Sequence, residues 1–251
     1  MSRVISLFNQ AGGVGKSTLA ANIGYSLAQR KRRVLLVDMD PQSSLTTFVG
    51  IDPRQVDRSV YHAIVPEEEL PILKAIHGMD LVPSQLKLSD AEQELVTAYM
   101  RDTRLKDALE PVRDQYDFIL IDCPPSLGML SYISLVASDY ILVPIQTQFK
   151  AFQGTDMLLQ TLQKVKAKPN RKLQIAGFVP TMYDGRNSHD ELTLEAIREQ
   201  LASIGKVFPF IPKSTVFADA SMERVPLAVY SPKHAAKKIL DGLAKDLEKL
   251  A

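Results

Sequence analysis

Asn9-Gln10-Ala11-Gly12-Gly13-Val14-Gly15-Lys16-Ser17-Thr18 stands between an apolar run, Val4 to Phe8, and an alanine-rich stretch with helical periodicity. That order reads as a strand, a phosphate-binding loop and a helix. Glycines at 12, 13 and 15 let the backbone fold into a nest whose N–H groups point at phosphate oxygens, and the following helix adds its positive end. Lys16 supplies a point charge for the β- and γ-phosphates, and the Ser17 hydroxyl a ligand for Mg2+. Gly12, Gly13, Val14, Gly15, Lys16, Ser17 and Thr18 are therefore the candidate cradle for a nucleotide. The spacing departs from the usual G-x-x-x-x-G-K-[ST], because Gln10 occupies the position of the first glycine.

Outward from the loop, the 251 residues are 45% hydrophobic and 24% charged, enough to bury a large core. We expect one domain spanning 1–251. A formal net charge of +1 argues against nucleic-acid binding by bulk charge and leaves only local clusters of cations. Cys123 is the single cysteine, so no intrachain disulfide can form, and a small buried core residue is the expected role. His62, His77, His189 and His234 are too dispersed for metal-ligand spacing. The chain opens almost at once on a strand, and nowhere do about 18 uncharged apolar residues run together, so a cytoplasmic protein with no membrane partner is expected.

Buried strands are expected at Val4–Phe8, Val34–Val37, Leu81–Val82, Phe118–Ile121, Tyr140–Val143 and Ile175–Val179. Helices are expected at Lys16–Arg30, Ser89–Ala98, Thr103–Gln115, a piece after Ser126, Phe152–Lys166, His189–Ile204 and Lys233–Leu250. The alternation implies an α/β fold, a doubly wound and mostly parallel sheet with helices on both faces. Gly50 to His77, rich in charge and holding three prolines, reads as short helices and loops. Ile239, Leu240, Leu243, Leu247 and Leu250 form one stripe of the last helix. Core packing explains that stripe better than a membrane anchor, since it carries no aromatic residue and Asp241, Asp246 and Glu248 would repel anionic lipid.

Carboxylates fall at strand ends. Val37-Asp38-Met39-Asp40-Pro41-Gln42 closes the second strand, and Phe118-Ile-Leu-Ile-Asp122 is an apolar strand ending in an acid. Ligands of parallel α/β sheets sit beyond the carboxyl ends of strands, so all three acids lie near the glycine-rich loop. An acid fixed by a buried strand is what holding a magnesium shell requires, which makes Asp122 a metal candidate beside Ser17.

With Asn9-Gln10 before it, the loop resembles the deviant K-G-G-x-G-K-[ST] form of the ParA/MinD family of positioning ATPases. The resemblance extends to the family's D-x-D-P-Q at Asp38–Gln42 and its D-x-P-P at Asp122–Pro125. It continues in the T-M-Y-D-x-R of partition ATPases at Thr181–Arg186 and their I-P-R at Ile211–Lys213. It implies the P-loop NTPase fold, Mg-dependent hydrolysis of ATP, and ATP and Mg2+ as cofactors. Asp38 and Asp40 would jointly orient the attacking water and organise the metal, and Met182 and Pro212 would wall the adenine.

Two positions depart from the family. Its signature lysine, which reaches into the partner's site in an ATP-bound homodimer, is Ala11 here. Pro144–Gly154 resembles the P-x-x-x-x-Y-Y-A-L-E-G loop at the dimer face, with Lys150 in place of the second tyrosine. Lys150 is the candidate replacement, a pattern that resembles the carboxysome-positioning (McdA) branch. The resemblance further implies a cargo-bound activating adaptor and non-specific DNA binding on the nucleoid. Arg186, Arg198, Lys206, Lys213, Arg224, Lys233, Lys237 and Lys238 are available for DNA, whereas Val216 replaces the second arginine of I-P-R-x-x-R. A plasmid or chromosome partition ATPase, a MinD-like membrane-cycling ATPase and a non-hydrolysing nucleotide-binding scaffold are the alternatives.

Overall fold

The computed structural model describes residues 2–148 and 155–250, the side chain of Asp156 excepted. The apolar runs become strands β1 (Arg3–Leu7), β2 (Val34–Asp38), β3 (Leu73–Ile76), β4 (Met79–Val82), β5 (Phe118–Asp122), β6 (Tyr140–Gln146) and β7 (Gln174–Thr181). Among the described residues they form one sheet in the order β3-β4-β2-β5-β1-β6-β7. Every neighbouring pair is parallel except β3 and β4. Strands β2 and β5 are buried along their whole length, as helices on both faces require. Alternate residues divide between two cores: Ile119 and Ile121 of β5 pack in one, Phe118 and Leu120 in the other.

Edge strand β3 departs from the expectation, because Gly50 to His77 reads as helices and loops. Only Leu73 and Ile76 of it are even half-buried, which leaves no apolar run to see. Its turn to β4 is made by His77 and Gly78, with φ of 51° and 81°, the two positive values that a tight hairpin needs. The helix expected over Thr103–Gln115 is broken. It is α-helical only at Arg104–Leu109 and continues as a 3-10 turn over Glu110–Gln115, because Pro111 lacks the N–H that an α-helical interior uses. The helix expected over Ser89–Ala98 is shorter, Leu88–Glu94, and the one expected over Phe152–Lys166 is described at Thr155–Ala167, its first residues, 152–154, lying outside the described residues. The others form at Lys16–Gln29, Met129–Ala137, Ser188–Leu201 and Ala235–Leu247. Short helices at Val216–Met222 and Leu227–Tyr230 add to the expected set.

The last helix buries Ala236, Leu240, Leu243, Ala244 and Leu247 in the core shared with the helix Lys16–Gln29. Its end is fastened by Glu248, which accepts bonds from Arg30 Nε at 2.9 Å and Arg32 Nε at 2.6 Å. The apolar stripe is thus part of the fold, and no helix among the described residues is long and apolar enough to cross a membrane. Leu243→Ala is expected to cost about 2–5 kcal/mol, read as a lowered urea midpoint. A detachable tail would leave the midpoint in place.

Candidate nucleotide site

The loop after β1 is shaped by its glycines and held by its neighbours. Gly13 and Gly15 have φ of 74° and 91°, which residues with a Cβ adopt only at a cost. Gly15 is the N-cap of the helix Lys16–Gln29 and carries no capping side chain, so first-turn N–H groups remain available to an anion. Asn9 ties the loop to β6, donating to the Pro144 carbonyl at 2.6 Å and accepting from the Ala11 N–H at 2.9 Å. Thr181, at the end of β7, donates from its hydroxyl to the Val14 carbonyl at 2.9 Å. Lys16 is buried, and its Nζ donates to the carbonyls of Asn9 and Ala11, each at 2.9 Å. Burial pulls its pKa down, and the charges of Asp122 and Asp40 push the other way.

The carboxylates meet because the strands are in register. Asp122 of β5 pairs with Asp38 of β2 on one side and Leu7 of β1 on the other. Asp122 is fully buried, and neither carboxylate oxygen has a hydrogen-bond partner among the described residues. Burial pushes it well above the usual carboxylate range, Asp38 adds to the rise, and Ser17 and Lys16 oppose it from nearby. Two bare buried oxygens close to a serine hydroxyl fit a hard divalent cation. Mg2+ takes one or two protein oxygens and completes its octahedron with phosphate oxygens and water.

Asp38 is just as buried and differently occupied. Its Oδ2 accepts from the Thr46 N–H at 2.8 Å and the Thr46 hydroxyl at 2.6 Å, and its Oδ1 accepts from the Asp40 N–H at 3.1 Å. Burial raises its pKa to about 7 in spite of these bonds, and a carboxyl poised near neutrality is suited to proton transfer. Asp40 accepts from the Gln42 N–H at 2.9 Å, and burial raises it as well, against that bond and the charge of Lys16. The environments separate two acids that the sequence alone treats jointly.

Residues in no motif complete this arrangement. Ser84, fully buried after β4, donates from its N–H to Thr46 Oγ1 at 3.0 Å and from its hydroxyl to the Asp40 carbonyl at 2.7 Å. Asp190 braces the loop after β7. It accepts from the Thr147 hydroxyl at 3.1 Å, the Asp184 N–H at 3.0 Å and the Asn187 amide at 2.7 Å. Thr46 and Ser84 leave no local signal, since the fold brings them together, whereas Asp190 bonds locally to Asp184 and Asn187 and Thr147 reaches it from afar. Cys123 is a buried core residue whose thiol burial pushes up to about 12.

Beside the loop lies a cavity of ≈140 Å³ lined by Gly15, Thr18, Leu19, Met182, Pro212 and Phe217 among others. Met182 and Pro212, expected together against a flat ring, are brought together by the pairing of Tyr183 with Pro212. Met182 has a φ of 57°, an uncommon backbone state for a residue with a side chain.

The expected cations for DNA are less uniform. Arg186 is paired with Asp184 at 3.0 Å, Lys206 with Asp246 at 2.7 Å and Lys237 with Asp241 at 2.9 Å. Arg198, Lys213, Arg224, Lys233 and Lys238 are at least partly exposed. His234 Nε2 lies 3.2 Å from Ser214 Oγ, which brings Lys213 toward the helix start that carries Lys233, Lys237 and Lys238. Arg224 lies near Asp52 instead. Lys150 falls outside the described residues.

A family model described as an AAA domain matches residues 2–175. The sporulation initiation inhibitor protein Soj of Bacillus subtilis is 37% identical over 98% of both chains. Two solved structures share the architecture. Cobyrinic acid a,c-diamide synthase from Mycobacterium smegmatis, with bound ADP and magnesium, has a TM-score of 0.85 at 32% identity over 99% of this chain and 96% of that one. McdA of Cyanothece in complex with ATP has a TM-score of 0.88 at 25% identity over 100% of this chain and 98% of its own.

Proposed function

This chain belongs to the ParA/MinD family of P-loop ATPases, and from that premise we propose that it hydrolyses Mg-ATP to position a cargo on DNA. One observation carries the reading: Lys16 at the start of the helix after β1, Asp38 and Asp40 at the end of β2 and Asp122 at the end of β5 come together at the glycine-rich loop. Gly12 to Thr18 cradle the phosphates, and Lys16 neutralises charge as the γ-phosphoryl group transfers. Ser17 and Asp122, with Asp40, hold Mg2+. Asp38 orients the attacking water, while Met182 and Pro212 face the adenine.

In the same reading the ATP form is a two-fold homodimer, with Lys150 supplying across the interface the cation that Ala11 cannot. The dimer binds non-specific DNA through Arg186, Arg198, Lys206, Lys213, Arg224, Lys233, Lys237 and Lys238, and a cargo-bound adaptor stimulates turnover on the nucleoid. Ala11 with Lys150, together with the likeness to McdA, favours carboxysomes as the cargo. The partition-type stretch Thr181–Arg186, whose Met182 lines the base cavity, favours plasmid or chromosome partition as the second reading. A membrane-cycling role draws no support from the C-terminal helix, whose stripe packs against the core. The intact set of Lys16, Ser17, Asp38, Asp40 and Asp122 speaks against a non-hydrolysing scaffold.

Fluorescence anisotropy with a random-sequence duplex tests the DNA role. Binding is expected with ATP and not with ADP. If six or more phosphates are neutralised, the affinity falls on the order of 10³-fold between about 50 and 200 mM salt. Binding indifferent to ATP or to salt contradicts the proposal. Lys150→Ala is expected to abolish the ATP-dependent dimer in light scattering, and a variant that dimerises and hydrolyses like the parent removes Lys150 from the mechanism.

A further inference from the structure

The helix Met129–Ala137 begins a few residues after Pro124, and its N-cap, Gly128, has no side chain to satisfy the first N–H groups. Glu92, from the separate helix Leu88–Glu94, meets this need. Its Oε2 accepts from the Met129 N–H at 2.8 Å and its Oε1 from the Leu130 N–H at 3.3 Å. A carboxylate at that end also complements the helix dipole. The fit is close. A Cβ on Gly128 would stand 2.8 Å from Glu92 Cδ and closer still to Oε1, so any side chain there would expel the carboxylate.

The capped end is tied to the stretch that follows Asp122. Ser131, in the first turn of the capped helix, donates from its hydroxyl to the Ser126 carbonyl at 2.7 Å. Pro125 lies beside Gly12 of the phosphate loop, where a Cβ built on the glycine would stand 3.8 Å from Pro125 Cβ. Glu92 thereby connects through Met129, Ser131 and Ser126 to the stretch after Asp122, whose Pro125 lies beside the phosphate loop. A second attachment lies beside it, where the Tyr132 hydroxyl donates to Asp102 Oδ2 at 3.3 Å.

We infer that Glu92 is a positioning residue for ATP hydrolysis, fixing the Pro124–Gly128 loop against the phosphate site by capping the helix that follows it. The inference rests on assigning Asp122 and its loop to the hydrolytic site.

The test compares Glu92→Ala and Glu92→Gln with the parent, as full chains, by hydrogen exchange of the 126–131 amides and by steady-state ATP hydrolysis. Glu92→Ala is expected to exchange faster at these amides and to lose roughly tenfold in kcat, about 1.4 kcal/mol of barrier, with KM for ATP within about twofold. Glu92→Gln keeps an acceptor oxygen and is expected to recover most of the loss. Gly128→Ala, which pushes the same contact from the other side, reproduces the Glu92→Ala pattern and replaces it should that variant fold poorly.

Unchanged exchange in Glu92→Ala overturns the capping role. Faster exchange with unchanged kcat overturns the link to hydrolysis, as does a kcat loss that glutamine does not relieve. A parent that binds ATP without hydrolysing it overturns the enzymatic reading itself, and leaves the exchange result to judge Glu92 as a cap.

Discussion

Asp122→Asn is expected to raise the stability of the nucleotide-free protein and to lower Mg-ATP hydrolysis by about 10²-fold or more, two effects of opposite sign from one atom exchange. The carboxylate is fully buried with no hydrogen-bond partner for either oxygen among the described residues. A buried carboxylate without a hydrogen-bond partner costs several kcal/mol, so the neutral amide is expected to recover about 1–3 kcal/mol of it. In a chain of this size each kcal/mol moves Tm by roughly 2–4 °C.

The gain depends on pH in a fixed direction. Because burial raises the folded-state pKa of Asp122, the parent loses stability as pH rises through the unfolded carboxylate range toward that raised value. The advantage of the Asp122→Asn variant is therefore present at neutral pH and disappears as pH falls through that range. Thermal melts from about pH 4 to 8, spanning that window and paired with phosphate-release assays, read both effects. A variant less stable than the parent at neutral pH would show that the carboxylate is held by partners within the protein.

Lys16→Ala is expected to reduce kcat by about 10²–10³-fold, the loss that follows removal of one preorganised charge from a transition state. Its effect on folding is coupled to Asp122. Lys16 is the cation whose field lowers the pKa of both Asp122 and Asp40, so its removal leaves the two acids facing each other without that countercharge. Asp122→Asn should then stabilise the Lys16→Ala background more than the parent, with a coupling energy of about 0.5–3 kcal/mol in a double-mutant cycle. A coupling of zero would mean that the ammonium and the carboxylate do not sense one another, and the shared phosphate and metal site would lose its electrostatic basis.

The sequence determined what short-range chemistry can write. Gly13, Gly15, Lys16 and Ser17 need only a strand before them and a helix after them. The apolar runs ending in Asp38 and Asp122 are legible because a doubly covered parallel sheet demands unbroken hydrophobic strands. Met182 and Pro212 are likewise readable from their motifs. Lost from view are the elements whose stability comes from elsewhere in the chain. Strand β3 is half exposed and forms only against β4, and Pro111 divides a periodic pattern into two helical geometries.

Tertiary structure alone decided how the acids differ and what holds them. Asp38 and Asp40 are near neighbours in sequence, yet only Asp38 receives both the N–H and the hydroxyl of Thr46. Ser84 and Asp40 meet across 44 positions, and Glu92 reaches Met129 across 37. A hydrogen bond is fixed by distance and angle between atoms that the sheet register brings together, and no spacing along the chain encodes that register by itself.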